Sequence, residues 1–279
     1  MYEKIVIVTG ANSGIGKETA LSLAKQGATV VMVCRNQARG SAALNEIKQA
    51  SGSENVHLML CDMGSFASIR AFATQFKAQY DRLDVLVNNA GLMNSSRQET
   101  VDGIETTFAV NHLGYFLTTM ELLDLLQASA PARIVNVASA AHDVGTFNFD
   151  DYQRTKKYSA FQVYGESKMA NILFTRELAR RLADTGVTVN AVHPGFVATN
   201  FATNNGLLYK VGMRVVGRIF GRNTQHGAET SIHLASSPDV EGITGEYYAD
   251  KKITKTHPFA EDVAAQKQLW ELSEQLVSM

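Results

Sequence analysis

A chain of 279 residues can bury a sizeable core, and α/β folds of this length commonly form one domain. With 45% hydrophobic and 19% charged residues and a formal net charge of -1, it carries no electrostatic footprint for nucleic acid. Cys34 and Cys61 make neither a Cys-x-x-Cys pair nor a disulfide framework, no stretch approaches the roughly 18 apolar residues of a membrane span, and no signal segment precedes the first apolar run, so a cytoplasmic protein is expected.

The first apolar run, Ile5 to Val8, leads into Thr9-Gly10-Ala11-Asn12-Ser13-Gly14-Ile15-Gly16 and then a helical pattern closed by Gly27. Glycines between a strand and a helix let a diphosphate touch the backbone, where a Cβ would block it, and the helix N-terminus supplies a positive dipole end. Gly10, Asn12, Ser13, Gly14, Ile15 and Gly16 are therefore candidate cofactor-binding residues. The second run, Thr29 to Val33, ends without an acid; Cys34-Arg35-Asn36 follows. A carboxylate there would bind a ribose 2′-hydroxyl, whereas the Arg35 guanidinium, with Asn36 beside it, suits a 2′-phosphate, favouring NADP(H) over NAD(H).

Further runs are Val56 to Leu60, Val85 to Val87, Ile134 to Ala138 and Val187 to Val192. All are short, rich in Val and Ile and without polar alternation, as strands covered on both faces are. Helical spacing between them predicts an α/β fold, a doubly wound parallel sheet of the Rossmann type spanning residues 1–279 as a single domain.

Tyr164-Gly165-Glu166-Ser167-Lys168 puts a phenol and an ammonium on one helix face. A tyrosine pKa near 10 is about three units too high for work at neutral pH, and a nearby cation should lower it. Ser139 stands at the carboxyl end of a strand, where open α/β sheets place ligands, and its hydroxyl can hold a substrate oxygen. Asn111 lies within a long helical segment, as a water-binding amide or a structural one bonded to nearby backbone.

These motifs, together with Asn88-Asn89-Ala90-Gly91 and Pro194-Gly195, resemble the short-chain dehydrogenase/reductase family over nearly the whole chain. Cys34-Arg35-Asn36, the run Ser167 to Phe174, Gly245 to Asp250 and the 25-residue interval from Ser139 to Tyr164 are most similar to its retinol-dehydrogenase-like group. The resemblance implies a catalytic tetrad of Asn111, Ser139, Tyr164 and Lys168. It also implies adenine contact at Asp62 and Met63, a cofactor cleft lined by Asn89, Ala90 and Gly91, a ribose held by Tyr164 and Lys168, and nicotinamide contact at Pro194, Gly195, Val197 and Thr199. The implied activity is NADP(H)-dependent interconversion of a carbonyl and its alcohol.

The stretch of about 200–225 has no strand pattern. Apolar residues at 208, 211, 215 and 219 and the basic stripe Lys210, Arg214, Arg218 and Arg222 predict an amphipathic helix. It is expected to form a lid over a lipophilic substrate; a surface helix or a contact with an anionic membrane are the other readings. No histidine pair has metal-ligand spacing, so no metal is expected. Reduction of a conjugated double bond and a non-catalytic NADP-sensing role are the competing functions. Family resemblance adds a homo-oligomer paired through long helices as an expectation.

Overall fold

The computed structural model describes residues 1–195 and 224–278. In it the Val- and Ile-rich runs become strands because both of their faces are covered. β1 (Ile5–Thr9), β2 (Thr29–Cys34), β3 (Val56–Leu60), β4 (Val85–Asn88), β5 (Ala132–Val137) and β6 (Val187–His193) are joined by a short seventh strand, β7 (Tyr247–Ala249), and an eighth, β8 (Lys252–Ile253). The order in the sheet is β3-β2-β1-β4-β5-β6-β7-β8. Seven strands run parallel, and β8 pairs antiparallel with β7 at the edge. The chain thus moves outward from β1 in one direction and then returns to lay β4 on its other side. That reversal opens a crevice at the carboxyl ends of β1 and β4.

Alternate residues of each strand feed two cores. Ile7, Val31, Leu86, Ile134 and Val189 face one layer with α3 (Phe66–Gln79), α5 (Gly114–Ala128) and α6 (Ala160–Arg181). Val6, Val8, Val30, Met32 and Val87 face the other with α1 (Gly14–Lys25), α2 (Gln37–Ser51) and α7 (Thr224–Ser236). Burying a Val or Ile side chain contributes about 1.5–3 kcal/mol, so these two faces carry most of the fold's stabilisation.

Ahead of α5 lies one helical turn, α4 (Thr106–Phe108), and then a π-helical stretch, Ala109–Leu113, in which the Gly114 N–H reaches back to the Ala109 carbonyl. The last helix, α8 (Val263–Val277), packs on α6. Its Trp270 meets Phe116 edge-on at 5.0 Å and Phe174 at 6.0 Å between centroids, while the Arg181 guanidinium lies 4.1 Å over the indole. Every residue from Gly165 to Thr175 on α6 is buried, so those three turns are covered on all sides by this one chain. Among the described residues no helix is long and apolar enough to cross a membrane.

Candidate active site

The loop after β1 is held tightly enough to need its glycines. Gly10 has φ +68°, and a Cβ there would lie 2.9 Å from Ala90 Cα; one on Gly16 would lie 2.7 Å from the Gly10 carbonyl oxygen. Thr9 joins this loop to the turn after β4. Its hydroxyl accepts from Asn89 N–H (2.8 Å) and Ala90 N–H (3.0 Å), and Asn89 Nδ2 donates to the Thr9 carbonyl (2.7 Å). Asn89 therefore shapes the cleft, with its amide already bonded. At the start of α1, Ser13 is exposed, makes no side-chain cap bond, and is followed by a first turn without acidic residues. The open N-terminus and the glycine cradle fit the phosphates of a dinucleotide.

At the end of β2 the Cys34 thiol is buried beside the Ala11 and Asn12 backbone, and loss of water pushes its pKa up to about 11. Arg35 reaches into solvent, with Nη1 3.9 Å from Asp62 Oδ2; such an exposed pair is weak and leaves the guanidinium free to turn to a ligand. Asp62 also accepts from Gly64 N–H at 3.0 Å. Two of the residues expected at the cofactor also have structural partners here. Asn36 Oδ1 accepts from Arg39 N–H (2.9 Å) as the N-cap of α2, so its carbonyl oxygen is engaged in helix formation. Met63 is buried, its sulfur 3.8 Å from Cys61 Sγ and its backbone against Gly114, so its side chain belongs to the core. Arg39, exposed and one turn beyond Arg35, is a further cation at this corner that sequence reasoning passed over; its charge is felt at Cys34.

α6 carries a stripe of polar side chains on one face, Tyr164, Ser167, Lys168, Asn171 and Thr175. Lys168 Nζ donates to the Val137 carbonyl at 2.9 Å and lies 5.5 Å from the Tyr164 ring centroid and 5.6 Å from that of Tyr115. Ser139, two residues past β5, caps the following 3-10 turn, its Oγ accepting from Ala141 N–H (3.2 Å). Its hydroxyl also bonds the Tyr164 phenol. Gly91 borders the same space: a Cβ there would lie 3.3 Å from Asn111 Oδ1 and 3.7 Å from Lys168 Nζ. Ser139, Tyr164, Lys168, Asn111 and Gly91 thus converge at the mouth of the crevice.

The electrostatics differ from the expectation of an acidified phenol. Burial pushes Tyr164 up to about 12, against the opposing Ser139 bond, and pushes Lys168 down to about 7. Desolvation is the largest cause for both groups, opposed at Tyr164 by the Ser139 bond. Asn111 is also more engaged than a water-binding amide would be. Its Nδ2 donates to the Leu92 carbonyl (2.9 Å) and to Ser167 Oγ (3.0 Å), and its Oδ1 accepts from Leu92 N–H (2.8 Å). Both N–H groups are taken, and the amide clamps the turn after β4 to α6.

Three supporting residues were not legible as such. Ser167 passes the Asn111 bond on, donating to the Tyr164 carbonyl at 2.7 Å. Tyr115 is fully buried with its ring toward Lys168. His142 Nδ1 lies 2.8 Å from the Ser139 carbonyl, while its Nε2 accepts from His257 N–H (3.2 Å), which assigns the ring proton to Nδ1. Only for Ser167 was there a signal, a hydroxyl three residues after Tyr164 on a buried helix face. Pro194 and Gly195, the latter at φ +78°, sit just past β6 near this mouth. Val197, Thr199 and the segment of about 200–225 lie outside the described residues. Among the described residues no cluster of His, Cys, Asp and Glu could hold a metal.

A model of the family described as short chain dehydrogenase matches residues 4–207. The chain belongs to the short-chain dehydrogenase family. As a short-chain dehydrogenase it is an oxidoreductase, and its family uses a nicotinamide dinucleotide. Retinol dehydrogenase 12 of Mus musculus is 44% identical to it over 276 residues, covering 99% of this chain and 87% of that protein. Retinol dehydrogenase 14 of Homo sapiens is 44% identical over 294 residues, covering 100% and 88%. Among solved structures, an uncharacterized protein from Mycobacterium paratuberculosis superposes with a TM-score of 0.81 at 33% identity, covering 100% of this chain and 94% of that one. An actinorhodin polyketide ketoreductase variant with NADPH gives 0.70 at 27% identity, covering 88% and 96%.

Proposed function

We propose that this short-chain dehydrogenase is an NADP(H)-dependent oxidoreductase that interconverts a lipophilic aldehyde or ketone and its alcohol, with Tyr164 as proton donor and acceptor. The observation that carries the reading is the convergence of Ser139, Tyr164 and Lys168 beside a glycine cradle that fits a dinucleotide. Bound NADPH supplies the hydride. Gly10 to Gly16 would hold its phosphates, Arg35 would meet the 2′-phosphate with Arg39 nearby, and Lys168 and Tyr164 would hold the nicotinamide ribose.

In the reductive direction Ser139 Oγ orients the substrate oxygen, and the Tyr164 hydroxyl gives that oxygen its proton as the carbonyl carbon is reduced. Burial holds the Tyr164 phenol above its ordinary range in the empty cleft, and a Lys168 ammonium together with an oxidised nicotinamide would bring it down toward the working range. The ammonium form of Lys168 then stabilises the phenolate left behind until a proton from solvent restores the phenol. Placing these groups correctly is worth more than the proton transfer alone, since orientation can supply about 7–11 kcal/mol of a barrier.

Two exposed apolar side chains support a lipophilic substrate. Val144 is 43% exposed at the end of the turn that Ser139 caps, and Phe161 is 57% exposed one turn before Tyr164. Retinol, the substrate in the names of its relatives, is of this chemical kind. The test is a panel of aldehydes and ketones, aliphatic, aromatic and polyene, followed by NADPH absorbance with NADH in parallel. Turnover of the apolar members with NADPH is expected. A panel wholly inert with both cofactors, or turnover with NADH in preference to NADPH, would overturn the reading.

A further inference from the structure

His142 lies in the 3-10 turn Ala140–Val144 that Ser139 caps, and its ring is buried. The Ser139 carbonyl accepts from two groups of this one residue, the His142 backbone N–H at 3.1 Å and the ring Nδ1–H at 2.8 Å. Across the ring, Nε2 accepts from the backbone N–H of His257 at 3.2 Å. His257 opens a second 3-10 turn, Pro258–Glu261, which leads into α8. Its own Nδ1 accepts from Phe259 N–H at 3.1 Å, and Ala260 in that turn is fully buried. One imidazole thus joins the turn that carries Ser139 to a C-terminal turn 115 positions away.

Both partners are fixed in kind, since a backbone carbonyl only accepts and a backbone N–H only donates. The neutral ring with its proton on Nδ1 satisfies both; the Nε2–H tautomer satisfies neither. A third group stands at Nε2. Asp143 Oδ1, on an exposed side chain, lies 3.2 Å away. A proton added to Nε2 therefore changes its partner. The imidazolium keeps the Ser139 carbonyl, gives its new N–H to Asp143 and confronts the His257 N–H with a second donor. Burial lowers the ring's pKa from its ordinary value; the Ser139 carbonyl and Asp143 favour the charge, while His257 and Arg176 oppose it. Arg176 in turn pairs with Glu261 at 2.8 Å, and Tyr247 meets the imidazole edge-on with centroids 5.0 Å apart. The titratable and charged groups around the ring are thus Asp143 from its own turn, His257 and Glu261 from the C-terminal turn, Arg176 from α6 and Tyr247 from β7.

We infer that His142 is a positioning residue that works as a latch: the neutral ring ties the Ser139 turn to the C-terminal turn at His257, and protonation hands Nε2 to Asp143 and parts the two turns. With the latch open, the Ser139 turn loses its brace, and the serine hydroxyl is no longer held where it meets the substrate oxygen. Reduction then slows on the acid side. Tyr164 as proton donor gives reduction no reason to slow as pH falls, so an acid limb in the rate reports the latch. This inference rests on the reading of Ser139 given above.

Asp143→Asn keeps the neutral-form contacts of His142 and removes the carboxylate that receives its second proton. With saturating NADPH and an aldehyde that the wild-type protein reduces, this variant should match wild-type kcat at neutral pH, and its acid limb should move to lower pH by about half a unit or more. His142→Asn retains an amide to donate to the Ser139 carbonyl, but it falls short of His257 and does not titrate. Its kcat should be flat from about pH 5 to 7.5 and about three- to ten-fold below wild type at neutral pH. An acid limb that survives in His142→Asn would belong to another group, such as His193, whose Nδ1 accepts from Ala140 N–H at 3.2 Å, and would overturn the inference. A limb that Asp143→Asn leaves in place, or a wild type without one, would overturn it too. A nitrogen-15 titration of the wild-type protein needs neither variant nor turnover. The His142 ring should be the Nδ1–H tautomer at neutral pH, and the His257 backbone amide should shift as that ring titrates. An Nε2–H tautomer, or a His257 amide unmoved through the titration, would contradict the latch. A protein that titrates in this way yet reduces no aldehyde would refute the functional reading and leave the latch standing.

Discussion

Lys168 is buried and bonded to the Val137 carbonyl, and loss of water brings its pKa from 10.5 to about 7. Between those two values the unfolded chain binds the proton that the folded chain does not, so this group's contribution to stability improves as pH rises from about 7 toward 10.5. Below pH 7 its full cost is present. Lys168→Met should therefore raise Tm at pH 7 and lower, by about 2–4 °C for each kcal/mol recovered, with the gain fading as pH approaches 10. It should also abolish turnover. Thermal melts across that pH range check the sign, and a Met variant less stable than wild type at pH 6 would contradict it. Arg35 is the other residue whose role is separable. Arg35→Ala should weaken NADPH binding by about 10–100-fold, the worth of one or two charge-assisted bonds, and leave NADH unchanged in a fluorescence titration. Equal weakening of both cofactors would remove the 2′-phosphate assignment. At this scale the sequence exposes the residues that carry chemistry, since Ser139, Tyr164 and Lys168 are read from order and spacing. It hides what holds them. His142 and Ser139 are near in sequence, yet their contact depends on a 3-10 turn, and Asn111 finds Ser167 across 56 positions.

Strands and helices follow the pattern of apolar residues closely because the parallel sheet is covered on both faces. Runs such as Val30 to Val33 and Val187 to Val192 have no other environment available to them. The elements that escape such a reading are those held by backbone geometry. β8 is two exposed residues paired through main-chain bonds to β7, and no side-chain pattern marks it. The π-helical stretch Ala109–Leu113 changes the number of residues per turn without a distinctive composition, yet it positions both Asn111 and His112. Gly114 closes that stretch against the Met63 carbonyl, where a Cβ would come to 2.9 Å. Gly114→Ala must push the helix off this contact, a form of overpacking that costs about 1–3 kcal/mol. Urea titration should show a lower midpoint at an unchanged m-value. A midpoint equal to wild type would mean that the turn after β3 yields freely.

The whole molecule places its site at the crevice where the strand order reverses, and then covers the helices beside that site with its own C-terminal segment. Pairing through α5 and α6, the arrangement expected from resemblance, would have to use faces that are free. The buried run from Gly165 to Thr175 and the seating of Trp270 on Phe116 and Phe174 leave no free face along the middle half of α6. Any homo-oligomer, at 30.4 kDa per chain, should therefore leave the seat of α8 on α6 intact, which light scattering of a Trp270→Ala variant beside the wild type checks. A stable dimer that the Trp270→Ala change dissociates would place α8 in an interface instead.

The most direct test of the account is the phenol itself. Tyr164→Phe removes one oxygen and keeps the ring that lies beside Lys168. With NADPH and an apolar aldehyde, the account predicts that cofactor affinity stays within about two-fold while kcat falls by about 10²–10⁴-fold, the usual worth of a general acid. A Phe variant that oxidises NADPH against the same aldehyde at near wild-type rate would contradict it.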